Sequence, residues 1–288
     1  MDRPTLTDRA ALEAHRARAM RSGLADFLHR AVAGEIEERL SVVNRHFTTP
    51  AVVSGFPRLW ENLFPGARQV TDSETLDLEE GAHDLVIHAL ALHWADDPVG
   101  QLVQCRRALR PDGLLICATF GGDTLRGLRQ ALAQAEAEVT GGLSPRVAPM
   151  GEVRDLGALL QRAGFALPVA DTMPYDVSYE SAFRLLADLR AMGETNALAG
   201  RHRAAPPRAL FLRAAGLYAQ AEGRADGRVG ATFEVVTLTG WAPDESQPKP
   251  LRPGSATHRL SEALGTREEP LPGPAEGDAD RDDGRSRH

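Results

Sequence analysis

Lysine is almost missing from this 288-residue sequence: Lys249 stands alone, and every other basic residue is arginine. A GC-rich coding sequence explains that bias as well as a demand for guanidinium chemistry does. Cysteine is equally scarce. Cys105 and Cys117 are too few for a disulfide framework and suit a reducing compartment, where both read as small buried hydrophobes. No apolar run approaches the roughly 18 residues of a membrane span. The N-terminus carries arginines but also Asp2, Asp8 and Glu13, and lacks the apolar stretch of a secretory signal. These absences predict a cytoplasmic protein. A formal net charge of −7 excludes a general nucleic-acid binder. Metal binding by His83, His88 and His93 is also unpromising, because His88 and His93 fall on opposite faces of an extended strand. No nucleophile–base pair stands out, so no catalytic residue is assigned.

What is present centres on Gly81–Gly122. Asp84–Leu92 is a near-continuous apolar run, the pattern of a strand buried on both faces. Asp96 or Asp97 can cap a helix that has Pro98 at its first position, where the missing N–H costs nothing. Val99, Leu102, Val103 and Leu109 give that helix one apolar stripe. Arg110-Pro111-Asp112-Gly113 then turns the chain into a second buried strand, Leu114–Phe120. A right-handed crossover makes the two strands parallel neighbours.

Upstream, residues 8–47 predict helices with a break at Ser22-Gly23, and Ala51–Ser54 and Ala67–Thr71 predict short strands around a helix that ends at Pro65-Gly66. Only one βαβ unit, about 30 residues, fits between Ala51 and Asp84. Downstream, Asp123 or Thr124 can cap a helix reaching Gly141-Gly142. Further helices are expected over Glu152–Ala163, Glu180–Met192 and Pro207–Glu222. Short extended pieces at Val169–Thr172 and Asp176–Tyr179 flank Pro174, and Ala231–Thr239 is a strand expected to pair with them in a hairpin. Asp188, Arg190, Glu194 and Asn196 form a polar cluster beside Met192-Gly193, which suits either a peptide-binding groove or a solvated helix end.

The runs LVIHALALHWADD and ALRPDGLLICATFGG resemble the fourth and fifth strands of class I S-adenosylmethionine methyltransferases. The segments GGDTLRGLR, GGLSPRVAPMGEVRDLGALLQRAGF, DLRAMGETNAL, ATFEVVTLTGW and SQPKPLRPGSA resemble a branch of that family that includes a respiratory complex I assembly factor. The resemblance runs from Asp8 to Leu264 and is poor between Thr48 and Gly81. It implies an α/β, Rossmann-like methyltransferase sandwich with an antiparallel closing strand pair. The N-terminal half is shortened, by one strand and one helix. The expected organisation is N-terminal helices over 1–47, the methyltransferase-like domain over 48–264 and a disordered tail over 265–288.

By the same resemblance, S-adenosyl-L-methionine would lie against Ser54, Gly55, Asp72, Ser73 and His93, and the acceptor against Trp94, Gly121, Gly122, Asp123 and Arg146. The glycine-rich cofactor turn is reduced to Val53-Ser54-Gly55-Phe56-Pro57, in which Phe56 adds bulk and Pro57 removes an amide. Asp72-Ser73 resembles the family's adenine-side turn, and the ribose-binding acid that ends the second strand finds no counterpart. Gly121–Thr124 suggests helix amides free to hold an anionic group, with a tight strand-to-helix turn as the alternative. Three functions follow: a methyltransferase acting on a protein in respiratory complex assembly, a non-catalytic assembly protein that has lost the cofactor, or a protein arginine hydroxylase-like factor.

Overall fold

The architecture follows from alternation along two central strands. In β3 (His83–Ala89) Leu85 and Ile87 point to one face and Val86 to the other; in β4 (Leu109–Phe120) Leu114 and Ile116 oppose Leu115 and Cys117. Strands apolar on both faces need a layer on each side. The computed structural model, which describes residues 5–248, supplies both. One face is covered by α2 (Phe27–Val42), α5 (Arg126–Thr140), α7 (Ala182–Ala191) and α8 (Arg208–Glu222). The other is covered by α4 (Pro98–Ala108) and α6 (Val153–Arg162).

The six-stranded sheet has the order β2-β1-β3-β4-β6-β5, where β1 is Pro50–Ser54, β2 Arg68–Thr71, β5 Ala166–Tyr179 and β6 Val229–Trp241. β2, β1, β3 and β4 run parallel, and β6 is antiparallel to both β4 and β5. One short helix, α3 (Pro57–Leu63), links β1 to β2, while residues 72–82 reach β3 without a helix. The expected shortening of this half is therefore present. Asp97 caps α4 by accepting from the Gly100 N–H, as expected, while Asp96 holds the backbone N–H groups of Leu6 and Thr7.

Three expectations are corrected. The region around Pro174 is one continuous edge strand, because Pro174 has no amide to donate and its outer side needs none. The pair β5–β6 is not a hairpin, since α7 and α8 intervene. Helix α5 begins only at Arg126, after Leu125 in a left-handed conformation, so neither Asp123 nor Thr124 caps it. The expected tail 265–288 and the end of the expected domain, 249–264, lie outside the described residues.

Candidate functional site

In an open α/β sheet, ligands bind at the carboxyl ends of the strands where the strand order reverses. Here that point lies between β1 and β3. Around it stand Ser54-Gly55 after β1, Asp72 after β2, Leu90–Trp94 after β3 and Phe120 at the end of β4.

On the β1–β2 side the Asp72 N–H donates to the Ser54 carbonyl at 3.3 Å, which brings the two predicted cofactor segments together. The strand beside β1 is thus followed directly by an acid, Asp72, at the carboxyl end of the sheet. That carboxylate is already engaged. Helix α1 (Arg9–Ser22) lies across the turn, and Arg16 Nη1 donates to Asp72 Oδ1 at 2.7 Å. Arg9 donates to the Asp72 carbonyl. Arg16 is 6% exposed and Asp72 1%. A Cβ at Gly55 would overlap the Arg16 guanidinium, so the absence of a side chain there serves Arg16. Phe56 stacks on that guanidinium at 5.8 Å, and its N–H is spent on Ser54 Oγ at 2.9 Å. Ser73 faces elsewhere, its carbonyl accepting from Gln101, whose side chain also binds His88.

On the β3–β4 side a cavity of about 490 Å³ is walled by Trp94, Phe120, Phe233, Leu128 and Leu189, with Glu194, Arg146, Arg190 and Arg208 among its polar lining. Trp94 Nε1 donates to Glu194 Oε2 at 2.8 Å, and His93 Nε2 donates to the same oxygen at 3.3 Å. Burial alone would raise the Glu194 carboxyl. His93, Arg16 and the Trp94 N–H outweigh it, and the pKa lies below the ordinary value. His93 packs against Phe120 at 4.8 Å between ring centroids, at the end of β3 beside the Trp94 and Phe120 that line the cavity.

The remaining predicted acceptor residues are engaged within the protein. Gly121 N–H donates to the Glu234 carbonyl and Asp123 N–H to the Glu234 carboxylate, so these amides are not free for an anion. A Cβ at Gly122 would meet Glu152, a second carboxylate at the same turn. Arg146 does line the cavity, but its guanidinium donates to Glu136 through Nε at 3.0 Å. Burial of Glu136 is overcome by Arg146 and Ser144, and its pKa falls to about 2. Asn196 donates to the Pro145 carbonyl and fixes this loop at the cavity edge. Of the polar cluster flagged in sequence, Arg190, Glu194 and Asn196 face the cavity, whereas Asp188 accepts from the Tyr179 hydroxyl. Arg16 and Phe233 were not singled out. Arg16 is one arginine among several in α1, and only its alignment opposite Gly55 distinguishes it.

This sheet order, with its cleft at the strand reversal, defines a Rossmann-like nucleotide-binding architecture. A family described as "Methyltransferase domain" matches residues 21–117. The chain is 39% identical over 223 residues to the Danio rerio protein "Arginine-hydroxylase NDUFAF5, mitochondrial", covering 77% of this chain and 69% of that one. The Mus musculus protein of the same name is 39% identical over 220 residues, covering 76% of this chain but 64% of its own length. The "Malonyl-[acyl-carrier protein] O-methyltransferase" of Laribacter hongkongensis is 40% identical over 172 residues, 60% of this chain and 55% of that one. The chain belongs to the S-adenosylmethionine-dependent methyltransferase superfamily.

S-adenosylmethionine is the cofactor of that superfamily, and this chain carries its domain. In the conformation described, the residues do not fit the group. The guanidinium of Arg16 fills the approach to Gly55 and holds the Asp72 carboxylate.

Proposed function

We propose that this chain acts on an arginine side chain of a protein partner, as a methyltransferase-fold modification factor in respiratory complex assembly. The observation that carries the reading is Glu194, an ionised carboxylate on the wall of an aromatic cavity. Glu194 Oε2 already accepts from Trp94 and His93, so an incoming guanidinium adds a charge-assisted N–H to this carboxylate, and aromatic faces attract the same cation. A cavity of about 490 Å³ has room for such a side chain and its neighbours along an extended peptide. Support also comes from the relatives named as arginine-hydroxylases. The resemblance to a complex I assembly factor supplies the partner class, a respiratory subunit. Two buried, unpaired cysteines support placement in the cytoplasm. Among the described residues no helix is long and apolar enough to cross a membrane.

The test is mass spectrometry of respiratory subunits purified from a deletion strain and from strains complemented with the unaltered gene or with Glu194→Gln. One arginine is expected to lose a methyl or an oxygen increment in the deletion and Glu194→Gln strains and regain it with the unaltered gene. An arginine modification pattern that is identical in all strains refutes the proposal. If assembly nevertheless fails in the deletion, the non-catalytic assembly reading takes its place.

A further inference from the structure

The buried ion pair between α1 and Asp72 has an incomplete set of partners. Arg16 spends Nη1 on Asp72 Oδ1, but its Nε and Nη2 are buried with no hydrogen-bond partner among the described residues. Asp72 Oδ2 is buried and unpartnered as well. A guanidinium carries five donors in a fixed fork and normally meets a carboxylate with two parallel bonds. Arg9 Nη2 lies 3.5 Å from the same Asp72 oxygen, so two cations meet Oδ1 while Oδ2 is left unmet. The pair is therefore a latch, incomplete on both sides. It sits on the residues, Gly55 and Asp72, that the sheet topology brings to the ligand-binding end of β1 and β2.

The attachments of α1 show what the latch controls. The helix is capped by Asp8, whose backbone N–H donates to the Ala197 carbonyl at 2.7 Å. His15 pairs with the Thr195 carbonyl at 3.1 Å, and Arg18 donates to Thr195 Oγ1 at 3.2 Å. Beside Arg9, Arg16, Gly55 and Asp72 a cavity of about 390 Å³ remains open between α1 and the β1–β2 turn. The space for a ligand is thus partly formed, and α1's guanidinium occupies the rest of it.

We infer that docking of α1 and binding of the adenosyl cofactor exclude one another: Arg16 and the ribose diol compete for Asp72 and for the space above Gly55. A ribose offers two hydroxyl donors, enough to satisfy both Asp72 oxygens, and release of α1 lets the unpaired nitrogens of Arg16 reach water. The described state is the closed, cofactor-excluding one, and the cofactor opens it by taking Asp72 from Arg16. This goes beyond the arginine-acceptor proposal and does not depend on it, because it concerns only Arg16, Asp72 and Gly55 and needs no acceptor; α1 reaches the acceptor cavity separately, through Thr195.

Two measurements on the full chain test the inference. The first is calorimetric titration with S-adenosylhomocysteine. Arg16→Met keeps the apolar stem and removes the charge, and it should bind on the order of tenfold more tightly than the unaltered chain. Asp72→Asn should bind more weakly. The second is hydrogen exchange on the unaltered chain, which stays informative if Arg16→Met fails to fold. Saturating S-adenosylhomocysteine should lower the protection of the α1 amides. Equal or weaker binding by a folded Arg16→Met overturns the inference. So does a gain of α1 protection on adding ligand, the mark of a lid closing over the cofactor. Absence of binding to both proteins overturns it too.

Discussion

His29 shows how far one buried side chain can tie stability to pH. It lies in α2, is 7% exposed, and accepts from Trp60 Nε1 at 3.2 Å through Nδ1. Burial lowers its pKa from 6.5 to about 4, so the folded chain holds the ring neutral where the unfolded chain protonates it. The sign follows directly. The contribution is fully present above pH 6.5 and is lost as pH falls through about 4. The loss is about 3 kcal/mol at most, since each pKa unit corresponds to ~1.4 kcal/mol. Urea unfolding between pH 7 and pH 4 should therefore lose slope in His29→Gln, which keeps an acceptor for Trp60. An undiminished slope would place the titration elsewhere.

Among the elements, β6 joins the two halves of the sheet. It pairs with β4 on one side and β5 on the other, and it sends Phe233 into the core. That ring is 1% exposed, meets Phe27 edge-on at 6.1 Å and walls the Glu194 cavity. Phe233→Ala should lower the unfolding free energy by about 3–5 kcal/mol, measured by denaturant titration. A loss below about 1 kcal/mol would mean the site collapses freely. The neighbouring Glu234 decides between the two readings of the turn after β4, in favour of the tight strand-to-helix turn. In sequence, Gly121-Gly122-Asp123-Thr124 has every mark of a helix start, and such marks are local. The acceptor that the Gly121 and Asp123 amides and the Thr124 hydroxyl use is Glu234 in β6, 110 residues or more away, and no local pattern can announce it. The strand–helix–strand unit Gly81–Gly122 was legible for the opposite reason. Its alternation and its Asp97-Pro98 start act over a few residues, whereas Arg110–Gly113, expected as a turn, lies within β4 at an irregularity in its pairing with β3. Asp72 falls between the two cases. Its strand was visible in sequence, but only the topology shows that the strand lies beside β1.

For the whole molecule, the trimmed half matters most. With one βα unit between β1 and β3, the sheet ends at β2, a strand of four residues. An edge so short offers little to a second sheet. The opposite edge, β5, is 14 residues long and carries exposed Val169 and Met173, interrupted by Pro174. Both edges thus limit unwanted pairing, one by brevity and the other by a missing amide. The N-terminal helices were readable as helices. Their position over Gly55 and Asp72 was not, because it depends on contacts between residues far apart in sequence.

The placement of β6 also sets a timetable for synthesis. Among the described residues it is the last strand to be made, yet it must enter between β4 and β5, both completed long before it. Until Val229–Trp241 has left the ribosome, β4 has an open apolar edge and β5 has no partner. Pairing of this kind waits on long-range contacts and leaves sticky surface exposed meanwhile. A chain stopped after Glu222 should accumulate as aggregate, whereas one stopped after Gln247 should remain in the supernatant. Equal recovery of the two would show that the first four strands stand alone.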